Sequence, residues 1–599
     1  MILFFISDAV LYAQVMVFGI KTQAFHFLMR SFQYQYNKLH DNYNYYVSKS
    51  RKLRSKNDAM RPKHVIKFVL IFFISLPNCK SSEDKLDTPE IVFVDHKNLR
   101  YIEDEKTIEL QVAAAKNNID QAAEMGADSY LLFAKETFEA ILNYDFHVKG
   151  IGNIGQLAFH GDDDHYYTAK YLRKALNEIL EYAEDKQIRL FFHSNQFIFP
   201  DEVLTVIKPK TWGTAVCPGR EITWEIYRKK LDEFFSLFPD IEGFQITGDE
   251  TQVSVLECSC DSCRHLSFVD RVNELTKITG QVCQKHGKQV QMRTWQRMGE
   301  LEKEKHPSKM GEGLPGNIFF SIKNTDGDFH LNHSVDETFI NAADPERVIV
   351  EFDAWREYEG NNYFPCYMGD IWAPRFRLLL NELGIQRIAV RLNWNSNKNP
   401  IFEMPWGNLV NIYLFLRLAE DPSRSADSIL KEFIGLHYPE SAHRPAFALY
   451  KFSPEFQKAM YYLSEIYLAN HSRVQDEDAE DDLEKAQRNG MFMDPDDFTV
   501  RRDEINSACR HAVELVEQLG DDVPDECRTS LLNGIKIEQN VALGTLGKIE
   551  AIYWKNRHND KEMKRVLSQL KKQQKDWQLF HPQSYESMHG DDLLKDITD

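Results

Sequence analysis

Positive charge is in deficit in this chain: 72 Lys and Arg stand against 91 Asp and Glu, a formal net charge of −19. That balance excludes a duplex-binding protein driven by phosphate neutralisation, so no nucleic-acid partner is expected. Cysteine is also scarce, with 9 in 599 residues, too few for a disulfide-dense scaffold. Internal repeats and long low-complexity segments are missing. What is present is 43% hydrophobic and 12% aromatic residues at a mean hydropathy of −0.47, the composition of a globular protein able to bury a large core. Wholesale disorder is excluded. The length suits roughly two to four domains of about 150 residues, or fewer if one is an α/β barrel of about 200 to over 400 residues.

Near the start, Arg61, Lys63 and Lys67 precede the apolar run Phe68 to Leu76, which is too short to span a bilayer. This is the order of an export signal. Leu76-Pro77-Asn78-Cys79, followed by KSSEDK, resembles a bacterial lipoprotein cleavage box, although Pro77 and Asn78 are not its commonest residues. The resemblance implies that Cys79 carries a lipid, that Met60 is the true start, and that the protein sits in a bacterial cell envelope, anchored to the membrane. Residues 1–59 then read as an upstream extension; the alternative is a transmembrane anchor at 1–20.

From about 88 to 424, short β-rich runs alternate with amphipathic helical stretches, the pattern of βα units. Eight strands are predicted: 91–94, 129–134, 188–193, 243–247, 289–294, 317–322, 348–352 and 387–392. Helical patterns fall at 107–125, 167–186, 222–236, 267–286 and 371–384. The expected fold is a (β/α)₈ TIM barrel, which places function at the C-terminal ends of its strands. Residues 425–599 are rich in helix formers and lack strand-like alternation, so an all-α C-terminal domain is expected after the barrel, with 1–87 as extension, signal and tether. The acidic run Asp476 to Asp482 reads as a solvated loop. Gly150, Gly152 and Gly155 match G-x-G-x-x-G, but with no clear strand before them and no helix pattern after them they read as a flexible loop rather than a dinucleotide site.

Polar residues gather where the predicted strands end: Lys135 and Glu136, His193 and Asn195, Asp249 and Glu250, Arg293 and Trp295, Lys323, Asp353, and Arg391 with Asn393 and Trp394. Any one of them fits a rim ion pair as readily as catalysis. A whole ring of carboxylates, bases and tryptophans matches the needs of a sugar site: carboxylates for acid and base, aromatics for ring faces, Arg or Lys for anionic substituents. The cluster His160, Asp162, Asp163, Asp164 and His165 reads as a solvated loop, with a cation or pocket role as the alternative.

Four blocks carry a resemblance to a family. They are EDKQIRLFFHSNQF through FPDIEGFQITGDE at 184–250, SIKNTDGDF at 321–329, REYEG at 356–360, and NWNSN through NIYLFLRLAEDP at 393–422. In that order and at that spacing they resemble the glycoside hydrolase family 67 α-glucuronidases over roughly 90–440. The resemblance implies an inverting hydrolase that removes a terminal uronic acid from polysaccharide-derived oligosaccharides of plant or algal origin. It also implies Glu250 as general acid and Asp328 with Glu357 as the pair that activates water. Lys135, Glu136, His193, Asn195, Asp249, Arg293, Trp295, Lys323, Arg391, Asn393 and Trp394 are the candidate substrate-binding residues, and no catalytic cofactor is expected.

The chain also departs from that family. Ile246 stands where the family has a lysine that helps bind the uronate, and Gly248 replaces an expected Asp. Cys258, Cys260 and Cys263 have no counterpart there. Either a structural zinc, with Cys217 or His265 as fourth ligand, or a disulfide is expected, in both cases clamping the loop beyond Glu250. Adjacent Asp249 and Glu250 also resemble family 20 hexosaminidases, in which the substrate's acetamido group is the nucleophile. A surface lipoprotein that binds glycans without cleaving them is the third reading. The sugar, the linkage and the oligomeric state are not legible in the sequence.

Overall fold

The structure is a computed structural model. Residues 1–88, 97–104, 134–136, 196–198, 208–216, 218, 248–259, 262, 294–313, 336–343, 394–400, 476–477, 596 and 598–599 lie outside the residues it describes. The expected lipidation site Cys79 is among those outside.

Eight parallel strands close into a barrel: β1 (Glu90–His96), β2 (Ser129–Phe133), β3 (Arg189–Asn195), β4 (Gly243–Thr247), β5 (Gln289–Arg293), β6 (Ile318–Lys323), β7 (Val348–Asp353) and β8 (Arg387–Arg391). Each lies where the sequence places it, shifted by at most two residues at an end. Helices cover the outside of the sheet, so the strands are buried on both faces and read as apolar runs such as Val348-Ile349-Val350 rather than as strict alternation. A small apolar cluster of Val92, Val94, Leu131, Phe191, Ile349 and Ala389 fills the barrel interior, separate from the main core between strands and helices. Along the strand direction the interior turns polar. Gln245 Nε2 donates to Gln291 Oε1 at 3.0 Å, and His193 Nε2 and Thr247 Oγ1 lie 2.7 Å apart. Register then sets Lys323 beside Glu351 and Arg391 beside Asp353 at the C-terminal ends.

The helices Glu105–Glu124, Asp163–Asp185, Glu221–Leu237 and Phe268–Lys285 match the periodic stretches. The fifth is different: the α-helix Gly369–Phe376 runs into a π-helical stretch, Arg377–Glu382, in which Leu383 N–H reaches back to Leu378 O at 2.9 Å. No helix among the described residues is long and apolar enough to cross a membrane.

The region after the barrel is helical, with Ala426–His437, His443–Tyr461, Ala479–Arg488, Pro495–Glu517, Asp525–Asn556 and Asp560–Phe580 as its main helices and one short hairpin pairing Tyr462–Leu463 with Ile466–Tyr467. Barrel and helices belong to one compact unit, Asp87–Asp599. The contact that joins them is close. A Cβ at Gly534 would collide with Tyr363 O, and one at Gly360, whose φ is +87°, would collide with Glu538 Oε1. Only glycine lets the loop after β7 and the helix Asp525–Asn556 approach so nearly.

Three sequence expectations need correction. The described part of the acidic run is largely helix rather than solvated loop: Asp478 precedes Ala479–Arg488, and Asp482 is buried, accepting from Gln475 Nε2 at 2.6 Å. The His160–His165 stretch begins a long helix. Asp162 accepts from His165 N–H at 3.1 Å as its N-cap, and the His165 ring stacks on Phe159 at 3.5 Å. Gly152 pairs in a short hairpin with Val148, and Gly155 lies inside the helix Ile154–Ala158 that follows, so the glycine stretch is not an open loop. In the first two a side chain found a partner nearby in the chain, and in the third the backbone paired across a tight turn; composition alone reveals neither.

Candidate active site at the C-terminal end of the barrel

The loop after β6 carries Asp328 and the loop after β7 carries Glu357, and both side chains are buried. Lys323, the last residue of β6, donates from Nζ to Asp328 Oδ1. Arg391, the last residue of β8, donates from Nη2 to Glu357 Oε2 at 2.8 Å. On its other oxygen Glu357 meets His471 Nδ1 at 2.6 Å, and its own backbone N–H donates to Asp353 Oδ2 at 2.8 Å. Phe329 packs against both cations, its ring centre 5.1 Å from Lys323 Nζ and 4.9 Å from the Arg391 guanidinium carbon. The Tyr358 hydroxyl completes the set by hydrogen bonding to Asp328.

These partners decide charge. Burial alone would raise the Asp328 carboxyl, but Lys323 outweighs it and holds the group far below the ordinary carboxylate range. Glu357 is likewise opposed by burial, yet Arg391 and His471 bring it down to about 2. Both carboxylates are therefore ionised at neutral pH. Beside them, burial and the neighbouring His333 push His330 down to about 3, so that imidazole is neutral. Its ring packs against Tyr358 at 4.1 Å and Tyr467 at 4.5 Å.

The backbone that presents Glu357 is unusual. Arg356, Asn361 and Asn362 all have positive φ, at 63°, 47° and 62°. Such conformations cost about 1–3 kcal/mol each and persist where the surroundings over-determine them. Here Arg356 Nη2 donates to Phe329 O at 2.7 Å and pairs with Glu359, Asn361 Nδ2 donates to His471 O at 3.0 Å, and Asn362 Oδ1 accepts from Asn408 N–H at 2.7 Å. Ser472 locks the far side, its hydroxyl donating to Glu357 O at 2.7 Å and accepting from Gly360 N–H at 2.9 Å.

Other predicted residues occupy different settings. Arg293 makes a two-pronged contact with Glu351, Nε to Oε2 at 2.8 Å and Nη2 to Oε1 at 3.0 Å, with both side chains buried, so it holds the barrel together across strands β5 and β7. His193 is buried against Thr247 inside the barrel, and Asn393 donates to Asp95 Oδ1. Glu250, Asp249, Lys135, Glu136, Trp295 and Trp394 lie outside the described residues, and of Asn195 only the strand backbone is described.

Cys217, Cys260 and Cys263 converge, with Cys217 Sγ 3.3 Å from each of the other two sulfurs. Cys258 lies outside the described residues. Of the two expected fourth partners, Cys217 joins the cluster, whereas the exposed His265 does not.

Sequence reasoning missed three residues. Asp95, fully buried near the end of β1, accepts from Asn118 Nδ2 at 2.8 Å and from Tyr130 and Asn393; its place in IVFVDH follows the same strand-end rule used elsewhere. Tyr358 was inside the REYEG block. His471 has no local signal at all, because it reaches Glu357 from a loop after the short hairpin of the helical region.

No family model matches the chain, and no curated protein matches it. Among solved structures it is similar to a GH138 enzyme targeting pectin rhamnogalacturonan II, with a TM-score of 0.51 at 12% identity over 85% of this chain and 78% of that one. CpGH84B aligns with a TM-score of 0.41 at 9% identity over 82% and 74% of the two chains. A GH20 exo-β-N-acetylglucosaminidase from Vibrio harveyi aligns with a TM-score of 0.33 at 13% identity over 59% of each. With the GH138 enzyme the shared feature is the fold.

Proposed function

We propose that this chain is a glycoside hydrolase that removes a terminal uronic acid, or a related acidic sugar, from an oligosaccharide by inversion. The observation that carries the reading is the pair Asp328 and Glu357: two ionised carboxylates on neighbouring loops at the C-terminal end of a closed barrel, each held by a cation from a strand end. Support also comes from the four sequence blocks that resemble family 67. An inverting enzyme needs an ionised carboxylate to activate water and a protonated acid across the sugar, about 6.5–9.5 Å away. Asp328 and Glu357 are in the charge state of the base, and being ionised they are unsuited to the acid. Glu250, after β4, is the proposed acid.

The cations give the reading its chemistry. Lys323 and Arg391 are the charges that a sugar carboxylate would seek, in place of the family lysine for which this chain has Ile246. A uronate engaging Lys323 takes a share of the charge now neutralising Asp328. That raises the proton affinity of Asp328 toward the range in which a general base is effective, so binding and activation are coupled. Tyr358 donates to Asp328 and orients it.

The test is product analysis on a panel of oligosaccharides bearing terminal uronic acids, with N-acetylhexosaminides and neutral glycosides as comparators, followed by nuclear magnetic resonance of the first-formed anomer. Release of a uronic acid with inverted configuration, lost in Asp328→Asn, supports the reading. Turnover of hexosaminides alone, or binding without hydrolysis of any member, overturns it. The lipid-anchored envelope location belongs to the same proposal. Mass spectrometry of the mature N-terminus tests it, with diacylglyceryl-Cys79 expected.

A further inference from the structure

The cysteine cluster joins two segments that are distant in sequence. Cys217 precedes the helix Glu221–Leu237 on the connection after β3, while Cys260 and Cys263 precede the helix Phe268–Lys285 on the connection after β4. All three sulfurs lie within 4.8 Å of one another. A tetrahedral zinc with Zn–S bonds of about 2.3 Å sets its sulfurs about 3.8 Å apart. A disulfide requires about 2.05 Å, shorter than the 3.3 Å observed from Cys217 to either partner.

The backbone around the sulfurs is held in a form suited to a thiolate site. Cys263 N–H and Arg264 N–H both donate to Cys260 O, at 2.8 and 2.9 Å, closing the tight turn by which a C-x-x-C spacing presents two sulfurs to one point. Thr223 Oγ1 donates to Cys217 O at 2.7 Å and Arg271 Nη2 to Cys263 O at 2.7 Å. The Gly219 backbone hydrogen-bonds the Cys263 side chain, fixing where that sulfur points. The helix that follows starts on a reciprocal cap: Ser267 Oγ accepts from Asp270 N–H at 3.1 Å, and Asp270 Oδ2 accepts from Ser267 N–H at 3.1 Å. Among the described residues Cys217 and Cys263 form a small buried cluster separate from the main hydrophobic core.

We infer that Cys217, Cys260 and Cys263 supply three corners of a structural zinc site that ties the β3 connection to the β4 connection. Its role follows from position. Thr247, at the end of β4, and Cys260 bracket the segment that contains Asp249 and Glu250, so the metal fixes the far end of that segment as the strand fixes the near end. The ion takes no part in turnover, and the inference does not depend on the identity of the sugar.

The experiment uses the full chain purified with reductant and zinc. Elemental analysis should find about one zinc per folded chain, released stoichiometrically when a mercurial titrates the thiols. Replacement by Co²⁺ should give thiolate-to-cobalt charge-transfer absorption that is missing in a C217S/C263S double variant. Peptide mapping should show Cys217, Cys260 and Cys263 alkylated only after the metal is removed. The mercurial titration and the mapping use the unaltered chain, so the inference stays testable if the double variant does not fold. Folded, unaltered protein with less than a tenth of an equivalent of metal and all three thiols open to alkylation overturns it. A disulfide between any two of the three in the reduced preparation overturns it too.

Discussion

At the level of single residues, the proposed chemistry turns on the charge state of two carboxylates, Asp328 and Glu357. Asp328→Asn and Glu357→Gln should each lower turnover of a cleaved glycoside on the order of 10²–10⁴-fold while the barrel stays folded, checked by steady-state kinetics beside circular dichroism. Lys323→Met carries a sharper expectation. Removing the cation beside Asp328 lets its carboxyl rise, so the acid limb of kcat/KM should move to higher pH, and a limb that stays in place sinks the assignment of Asp328 as base. Glu357 has a stability consequence with a definite sign. Its folded-state value, about 2, lies below the ordinary 4.5, so its contribution is full above pH 4.5 and is lost as pH falls toward 2. The loss is on the order of 3 kcal/mol for a group this buried, and urea midpoints measured across that window should fall more steeply in wild type than in Glu357→Gln.

At the level of elements, the loop after β7 and the helix Asp525–Asn556 meet at a close joint. Gly534→Ala should lower stability by roughly 1–3 kcal/mol, because its Cβ would meet the Tyr363 carbonyl, a rigid backbone atom. Glu538 sits in the same joint, fully buried, near Gln457 and Tyr461, and burial pushes its carboxyl well above the ordinary 4.5. The unfolded chain ionises this group above pH 4.5 whereas the folded chain keeps it neutral, so stability is eroded as pH rises past that value. Glu538→Gln should therefore raise the thermal midpoint at pH 7 and leave it unchanged at pH 4. Equal effects at both pH values would contradict this account. The eight strands were legible because each is a short apolar run, several of them separated by helical periodicity. The π-helical stretch at Arg377–Glu382 was not, since its pattern differs from an α-helix by a single shifted hydrogen bond.

At the level of the whole molecule, barrel and helical region form one unit, and the site draws on both. His471, Ser472 and Tyr462 come from beyond the barrel, yet they hold Glu357, Gly360 and Glu359. Unfolding of the intact chain should be a single calorimetric transition, and a fragment ending at residue 424 should expose apolar surface that binds a hydrophobic dye. Two separated transitions would show that the helices are an independent domain with no structural duty toward the site.

Hydrophobic periodicity is local and survives without coordinates, so the barrel, its eight strand positions, the helical region behind it and the strand-end rule that singles out Lys323 and Arg391 were all readable from the chain. The family resemblance marked Asp328 and Glu357 as candidates. Which cation meets which carboxylate was settled only on folding: Arg293 serves Glu351 inside the barrel, while Lys323 and Arg391 turn to Asp328 and Glu357. Folding also brought Cys217 to Cys260 and Cys263, and His471 to Glu357, across separations of 43, 46 and 114 residues. Ion pairing and sulfur clustering depend on distances between chain segments, and local composition holds no record of those distances until the barrel closes.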